Sequence, residues 1–216
     1  MKHLMPKLDP RIGWTLAAAL FGTILAAGFQ DATEKVGSVD LDHLMTQSNL
    51  GQASQARLTK MQNDRIAVLK FMKDNRVLSA DQATRFRELS LKDPLTTQES
   101  AELDRIKADI VADAKRDLEL ESKTSGLTPE EHALLNDFAK RSQTTDTLGK
   151  QWQSDFVKEM DDAAADARKQ LLDNARTSIQ TIAKAQGYSV VFEAQVAPYA
   201  ANDLTDAALQ TMNAKK

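Results

Sequence analysis

Two short β-like stretches lie far apart in this chain of 216 residues: KVGSVDL at residues 35–41 and GYSVVFEA at residues 187–194. Both carry the β-branched and aromatic residues that strands favour. About 145 residues separate them, and after Gly51 this interval holds only two glycines and two prolines, which favours long helices. The chain is therefore predicted to leave a small sheet as a helical arm and to return to it as a hairpin.

Short motifs at both ends of the chain extend this pattern. They are Val39-Asp40, Gly187-Tyr188, Tyr199-Ala200 and the run from Asp203 to Asp206. In these motifs the chain resembles the OmpH/Skp family of periplasmic chaperones, while the middle of the chain matches only in helical character. The resemblance implies that three subunits pool their strands into a central body from which the helical arms project.

The predicted fold class is mainly α with a small β body, or α+β, in which short strands complete a sheet or barrel only on oligomerisation. Residues 1–28 are interpreted as a signal peptide. Residues 35–50 and 187–216 are expected to form the β body with a C-terminal helix, and residues 51–186 the helical arm. The tail offers Leu204, Ala208, Leu209 and Met212 as the apolar face of that last helix.

The outer part of the arm is predicted to be segmented. Its first helix is expected to start near Gln52, after a loop closed by Gly51, and to end near Leu78. Three later helix starts carry the capping-box pattern of a hydroxyl followed three residues on by Gln or Glu: Ser79 with Gln82, Thr96 with Glu99, and Thr128 with Glu131. These starts depart from the two continuous helices that the family resemblance implies.

An apolar stripe defines the returning helix. Its members are Trp152, Phe156, Met160, Ala163, Ala167, Leu171, Ala175, Ile179 and Ile182. Their mean spacing of about 3.75 residues exceeds the 3.5 of a heptad, so a conventional left-handed coiled coil is not favoured. Gly187 is expected to stop this helix.

The N-terminus indicates export from the cytoplasm. Basic residues up to Arg11 precede an uncharged stretch, Ile12 to Gly28, whose apolar part is shorter than the roughly 20 residues of a membrane span. A cleavable signal peptide is predicted, cut after Gly28, or alternatively after Ala27 or Ala32. The mature chain would then lie in the periplasm or another extracytoplasmic space. An uncleaved membrane anchor is the alternative.

The amino-acid composition limits how the chain can be cross-linked and which partners it can bind. Cysteine is absent, so the chain has neither a disulfide framework nor a lipid-modified cysteine. Removing residues 1–28 lowers the net charge from −3 to about −5. Nucleic-acid binding needs a clustered basic face, which the sequence lacks, and the acidic balance also argues against binding to a membrane surface.

The residue inventory gives no support for an enzyme. Of the three histidines, His3 lies in the signal peptide, and His43 and His132 have no second histidine or thiol nearby in sequence. Asp161, Asp162 and Asp166 are interpreted as the solvated face of a helix. Because the sequence also lacks a phosphate-binding glycine loop, no catalytic, metal or cofactor residue is assigned.

The strand residues are expected to form the body shared between subunits: Val36, Val39, Leu41, Val190, Val191 and Phe192. Two short strands are too little sheet to be stable alone, so the residues themselves predict an oligomer of unspecified number. The resemblance implies a homotrimer.

The resemblance implies an ATP-independent holdase chaperone that shelters unfolded outer-membrane or envelope proteins in a cavity between the arms. Met61, Phe71, Met72 and Phe86 are the expected client contacts, because flexible and aromatic side chains suit varied partners. The alternative for these four is that they pack the arm itself. The alternative function is a structural or scaffolding coiled-coil protein of the cell envelope.

Overall fold

The computed structural model describes residues 34–123 and 125–214, so the expected signal peptide lies outside the described residues. The elements in these ranges are β1 (Lys35–Val39), α1 (Leu41–Gln47), α2 (Asn49–Asp74), α3 (Ala80–Leu91), α4 (Thr97–Glu121), α5 (Pro129–Gln186), β2 (Tyr188–Glu193) and α6 (Thr205–Ala214). The fold is mainly α with a small sheet and a long helical arm, and the sheet is not closed, which confirms the predicted class.

The arm consists of α2 running out and α5 running back, with α3 and α4 added on the outgoing side. At 1.5 Å per residue, the 58 residues of α5 extend for about 87 Å. This helix passes through Gly149 without interruption and ends at Gln186, where the C-cap residue Gly187 adopts a left-handed conformation with φ of 72°. The predicted stop at Gly187 is therefore confirmed.

All three predicted capping boxes are present, at Ser79, Thr96 and Thr128. In each box the hydroxyl accepts a hydrogen bond from the backbone N–H three residues on, and the Gln or Glu side chain accepts one from the N–H of the capping residue. The first two boxes start α3 and α4, whereas the third starts the returning helix itself. The segmentation therefore lies on the outgoing side of the arm.

The predicted loop at Gly51 is wrong. Helix α1 begins directly after β1, capped by Asp40, and Ser48 caps α2 by accepting from the N–H of Gly51. A Cβ on Gly51 would lie 1.9 Å from the carbonyl oxygen of Met45. This glycine therefore permits two helices to meet closely, and it does not close a loop.

The outgoing helix also ends earlier than expected. Helix α2 stops at Asp74, where Asn75 leaves the helical conformation, rather than near Leu78. Val77 and Leu78 lie in the link before α3 and are 2% and 1% exposed. They are buried because α3 and α4 fold back onto the arm, which gives the link apolar neighbours.

The buried side chains form three clusters along the molecule. The body cluster joins Val39, Leu44, Ala175, Ile182, Leu204, Ala208 and Met212. The arm cluster joins Val68, Met72, Leu78, Ala83, Phe86, Leu89, Leu103, Ile110, Trp152 and Phe156. A third cluster of Val77, Leu120 and Phe138 lies at the distal end. The tail helix packs with the Ala208 and Met212 face that the sequence predicts.

The two strands pair in parallel, with Val36 opposite Val190 and Val39 opposite Glu193. On the edge of β1 that faces away from β2, Ser38 donates its N–H to the carbonyl of Asn202, and its carbonyl accepts from the N–H of Leu204. Strand β1 is therefore central, and both of its neighbours come from the last thirty or so residues of the chain.

Candidate functional site

The sheet has one covered face and one exposed face. Because side chains alternate along a strand, Val39 and Val191 point to the face that packs on the body cluster, and Val190 and Phe192 point away from it. Val190 and Phe192 are 40% and 42% exposed. An exposed valine and phenylalanine on a two-stranded sheet form an apolar surface that one chain leaves uncovered.

The six residues assigned to the oligomer body therefore separate into two groups. Val39 is buried, and Leu41 and Val191 pack against the same cluster within one chain. Val36 is half-buried, opposite Val190 on the outer face. The outer edge of β2 pairs with no other strand among residues 34–123 and 125–214.

Sequence reasoning missed two further exposed side chains in the segment after β2. Val196 is 73% exposed and Tyr199 is 97% exposed. Both lie in the turns between the sheet and α6, near the segment that pairs with β1. Tyr199 belongs to a Tyr-Ala motif that the sequence singled out, so that motif was the signal that could have identified this surface.

The four expected client contacts do not share one environment. The structure places Met72 and Phe86 inside the arm cluster, at 2% and 1% exposure, so neither is accessible to a client. Phe71 is half-buried with its ring centroid 4.7 Å from that of Phe86, and Met61 is half-buried on α2. The prediction that Met72 and Phe86 contact clients is therefore corrected. Both side chains are buried because α3 packs on the side of α2 that carries Met72.

Other apolar side chains on the arm are open to solvent. Ile66 on α2 is 54% exposed and Val157 on α5 is 59% exposed, with Val111 and Leu118 similarly exposed on α4. These β-branched and leucine residues lie among charged residues on the helices.

A cluster of charges ties α3 to the arm. The Arg87 guanidinium donates to Asp155 Oδ2 at 3.3 Å and to Glu159 Oε1 at 3.0 Å, and Arg65 donates to Glu159 Oε2 at 2.6 Å. The Arg87 Cζ also lies 4.9 Å from the ring centroid of Phe156. Because an arginine over an aromatic ring gains cation–π attraction as well as ion pairing, this cluster holds three helices together.

Two carboxylates in the capping boxes have lowered pKa values. Hydrogen bonding to the side chain of Lys92 and to the backbone N–H of Thr96 lowers the pKa of Glu99 to about 2. The side chain of Lys123 and the backbone of Thr128 likewise lower the pKa of Glu131. Both carboxylates are half-buried members of the capping boxes of α4 and α5, and their electrostatics serve the fold of the arm.

The histidines and aspartates considered for chemistry lie on the surface. His43, His132 and the three aspartates at 161, 162 and 166 are exposed. Across the described ranges, no group of three His, Cys, Asp or Glu residues is placed to hold a metal ion. None of the helices that the structure describes is both long and apolar enough to cross a membrane.

The fold defines an elongated helical protein with a small sheet that exposes apolar side chains. A family model described as Outer membrane protein (OmpH-like) matches residues 35–212, so the chain belongs to this family. The family is one of periplasmic chaperones and not of enzymes, which supports a chaperone-like role outside the cytoplasm. No match was found among curated proteins or among solved structures.

Proposed function

We propose that this protein is an ATP-independent holdase that forms a homotrimer and shelters unfolded outer-membrane or envelope proteins in a cavity between its arms. The observation that carries the proposal is the uncovered sheet face of Val190 and Phe192 at the base of a long arm. Covering that face with equivalent strands of other subunits would group several arms around one axis.

The assembly step rests on the burial of apolar surface. A two-stranded sheet is marginal by itself, and the outer edge of β2 offers unpaired backbone groups to another strand. Val196 and Tyr199 add exposed apolar area beside it. Residues 1–28 are proposed to be removed as a signal peptide during export, which leaves this body near the new N-terminus.

The client-holding step rests on the arm. An unfolded β-barrel precursor presents alternating apolar side chains and unpaired backbone, and it aggregates through edge-to-edge pairing. Several arms around it would delay such pairing through many weak contacts. Met61 and Phe71 remain proposed contacts, and the exposed Ile66 and Val157 join them, whereas Met72 and Phe86 are excluded by their burial.

The test compares the mature chain with an arm-deleted variant. Diluting a urea-denatured β-barrel protein into buffer with the mature chain should suppress light scattering at near one trimer per client. Deleting residues 78–149 and rejoining the helices through a short Gly-Ser link should abolish suppression while sedimentation still shows an oligomer, because the body cluster lies outside the deletion.

Two results would change the conclusion. An oligomeric mature chain that leaves client aggregation unchanged would support the envelope scaffold instead. A truncated oligomer that protects clients fully would place the binding surface on the body and overturn the cage between arms.

A further inference from the structure

An open groove lies on the arm between α2 and α5. The C-terminal part of α2 and the link after it, residues 66–76, form one wall, and residues 145–153 of α5 form the other. The groove has a volume of about 920 Å³. Ten helical residues span roughly 15 Å, which equals the length of four to five residues of an extended strand. The groove is therefore of a size to hold a short extended segment.

The groove has an apolar wall. Ile66 is 54% exposed at this wall, Leu69 is half-buried beside it, and Met72 is buried behind them. On the opposite wall, a Cβ added to Gly149 would meet nothing within 4 Å. Because glycine replaces a side chain there, the groove is open down to the backbone of α5.

The rim of the groove is basic although the chain as a whole is acidic, with a net charge of −3. Four basic residues and one acidic residue line it: Lys70, Lys73, Arg76, Lys150 and Asp146. Arg76 pairs with Asp146, and Lys70 pairs with Asp74. Within the described ranges, no carboxylate oxygen lies within 4.0 Å of the ammonium of Lys73 or Lys150. One lysine on each wall is thus available to an outside anion.

We propose that this groove binds extended client segments in which apolar side chains alternate with Asp or Glu. Side chains of a strand alternate in direction, so the apolar set can contact Ile66 and Leu69 while the carboxylates reach Lys73 and Lys150. Charge-assisted hydrogen bonds at the rim would then select acidic segments over basic ones. This inference rests on the proposed holdase function and names the chemistry of the segment that the arm selects.

A defined peptide tests the charge preference. The probe is a fluorescein-labelled peptide of about eight residues with alternating Leu and Glu, followed by fluorescence anisotropy with the full mature chain. A Lys73→Glu/Lys150→Glu variant should bind it at least tenfold more weakly, and 1 M salt should weaken wild-type binding because screening is strong there. The matched control, Lys115→Glu/Lys169→Glu, makes the same charge change at exposed lysines outside the groove and should stay within twofold of wild type.

A second pair of variants tests the location without changing charge. Gly149→Leu places a side chain in the groove and should reduce peptide binding at least fivefold, whereas Gly149→Ala should leave it within twofold of wild type. Equal loss in the two lysine double variants, equal binding of a peptide with Lys in place of Glu, or no effect of Gly149→Leu would each overturn the proposal.

Failure of the groove proposal can be distinguished from failure of the holdase proposal. Aggregation suppression is measured on the same preparations, so a wild-type chain that binds the peptide but fails to suppress aggregation refutes the holdase and leaves the groove standing. Binding to phosphatidylglycerol vesicles that is lost in Lys73→Glu/Lys150→Glu, with peptide binding unchanged, would assign the groove to an anionic lipid surface and refute the peptide inference.

Discussion

Ser178 lies on the face of α5 that packs in the body, between Ala175 and Ile182 along the helix. It is 0% exposed, and its hydroxyl has no hydrogen-bond partner among the residues that the structure describes. Desolvating a hydroxyl without a new partner opposes folding, so this residue lowers the stability of the body.

We expect Ser178→Ala to raise the free energy of unfolding by about 1 kcal/mol more than Ser154→Ala does. Both changes replace serine by alanine within α5, so the gain in helix propensity is shared, but Ser154 is exposed. Urea unfolding followed by circular dichroism measures the difference. Equal effects of the two substitutions would show that the buried hydroxyl costs nothing.

Glu99 links the stability of α4 to pH. Its pKa is about 2 in the folded chain against 4.5 as the ordinary value, so the ionised form is favoured by folding. The stabilisation that the ionised Glu99 carboxylate gives to the folded chain is fully present above pH 4.5 and is lost as the pH falls toward 2. Glu99→Gln keeps an acceptor for the Thr96 N–H but does not titrate.

The expected result is a steeper loss of urea resistance in wild type than in Glu99→Gln between pH 4.5 and pH 2. Midpoints of urea unfolding at several pH values measure it, with both proteins compared in the same buffers. Parallel pH profiles of the two proteins would contradict the assigned pKa.

At the scale of elements, Arg87 adds ion pairs to the apolar packing that attaches α3 to the arm. Arg87→Ala removes two ion pairs and the contact with the Phe156 ring, and it leaves Asp155 and Glu159 with one fewer partner. We expect the free energy of unfolding to fall by about 1–2 kcal/mol. The loss is no larger because these charged groups are partly exposed and water screens their attraction. Arg176→Ala, at an exposed arginine 3.8 Å from Asp173, should change it by less than about 0.5 kcal/mol. Thermal unfolding of the two variants gives the comparison.

The elements also show what the sequence can and cannot predict. The three capping boxes and the stop at Gly187 were predictable because each depends on residues within one helical turn. The small sheet was predictable because the β-branched and aromatic runs at residues 35–41 and 187–194 favour strands locally. The role of Gly51 was predicted wrongly. A glycine is needed there because the carbonyl of Met45 lies close to it, and a sequence pattern does not show that contact.

Met72 and Phe86 show the same limit for the candidate site. The sequence offered both as flexible or aromatic residues of the arm, but it did not indicate which face of α2 receives α3. Exposed apolar positions such as Ile66 and Val157 were missed because the sequence does not indicate which apolar side chains remain uncovered by another helix. Contact surfaces depend on packing between elements that are distant in the chain, and that packing carries no local signal.

At the scale of the whole molecule, the uncovered sheet face of Val190 and Phe192 is the surface through which we propose that the subunits assemble. Replacing Val190 or Phe192 with Asp would place an unpaired charge in the proposed interface, at a cost of several kcal/mol, and should dissociate the oligomer. Sedimentation at micromolar concentration measures this, and an unchanged helical circular dichroism spectrum would show that the arm still folds. A wild-type mature chain that sediments as a monomer would refute the trimer.

The central position of β1 has a consequence for the order of folding. Ser38 pairs with Phe192 on one side and with the backbone of Asn202 and Leu204 on the other, so every partner of this early strand is made at the end of synthesis. Contacts of such sequence separation raise the contact order and slow their own formation. The arm helices precede β2 in the chain and can form before it, but the body cannot close until the C-terminal residues are present. A prematurely terminated chain would therefore possess an arm without the sheet on which the proposed oligomer depends, so only copies delivered in full could enter that oligomer.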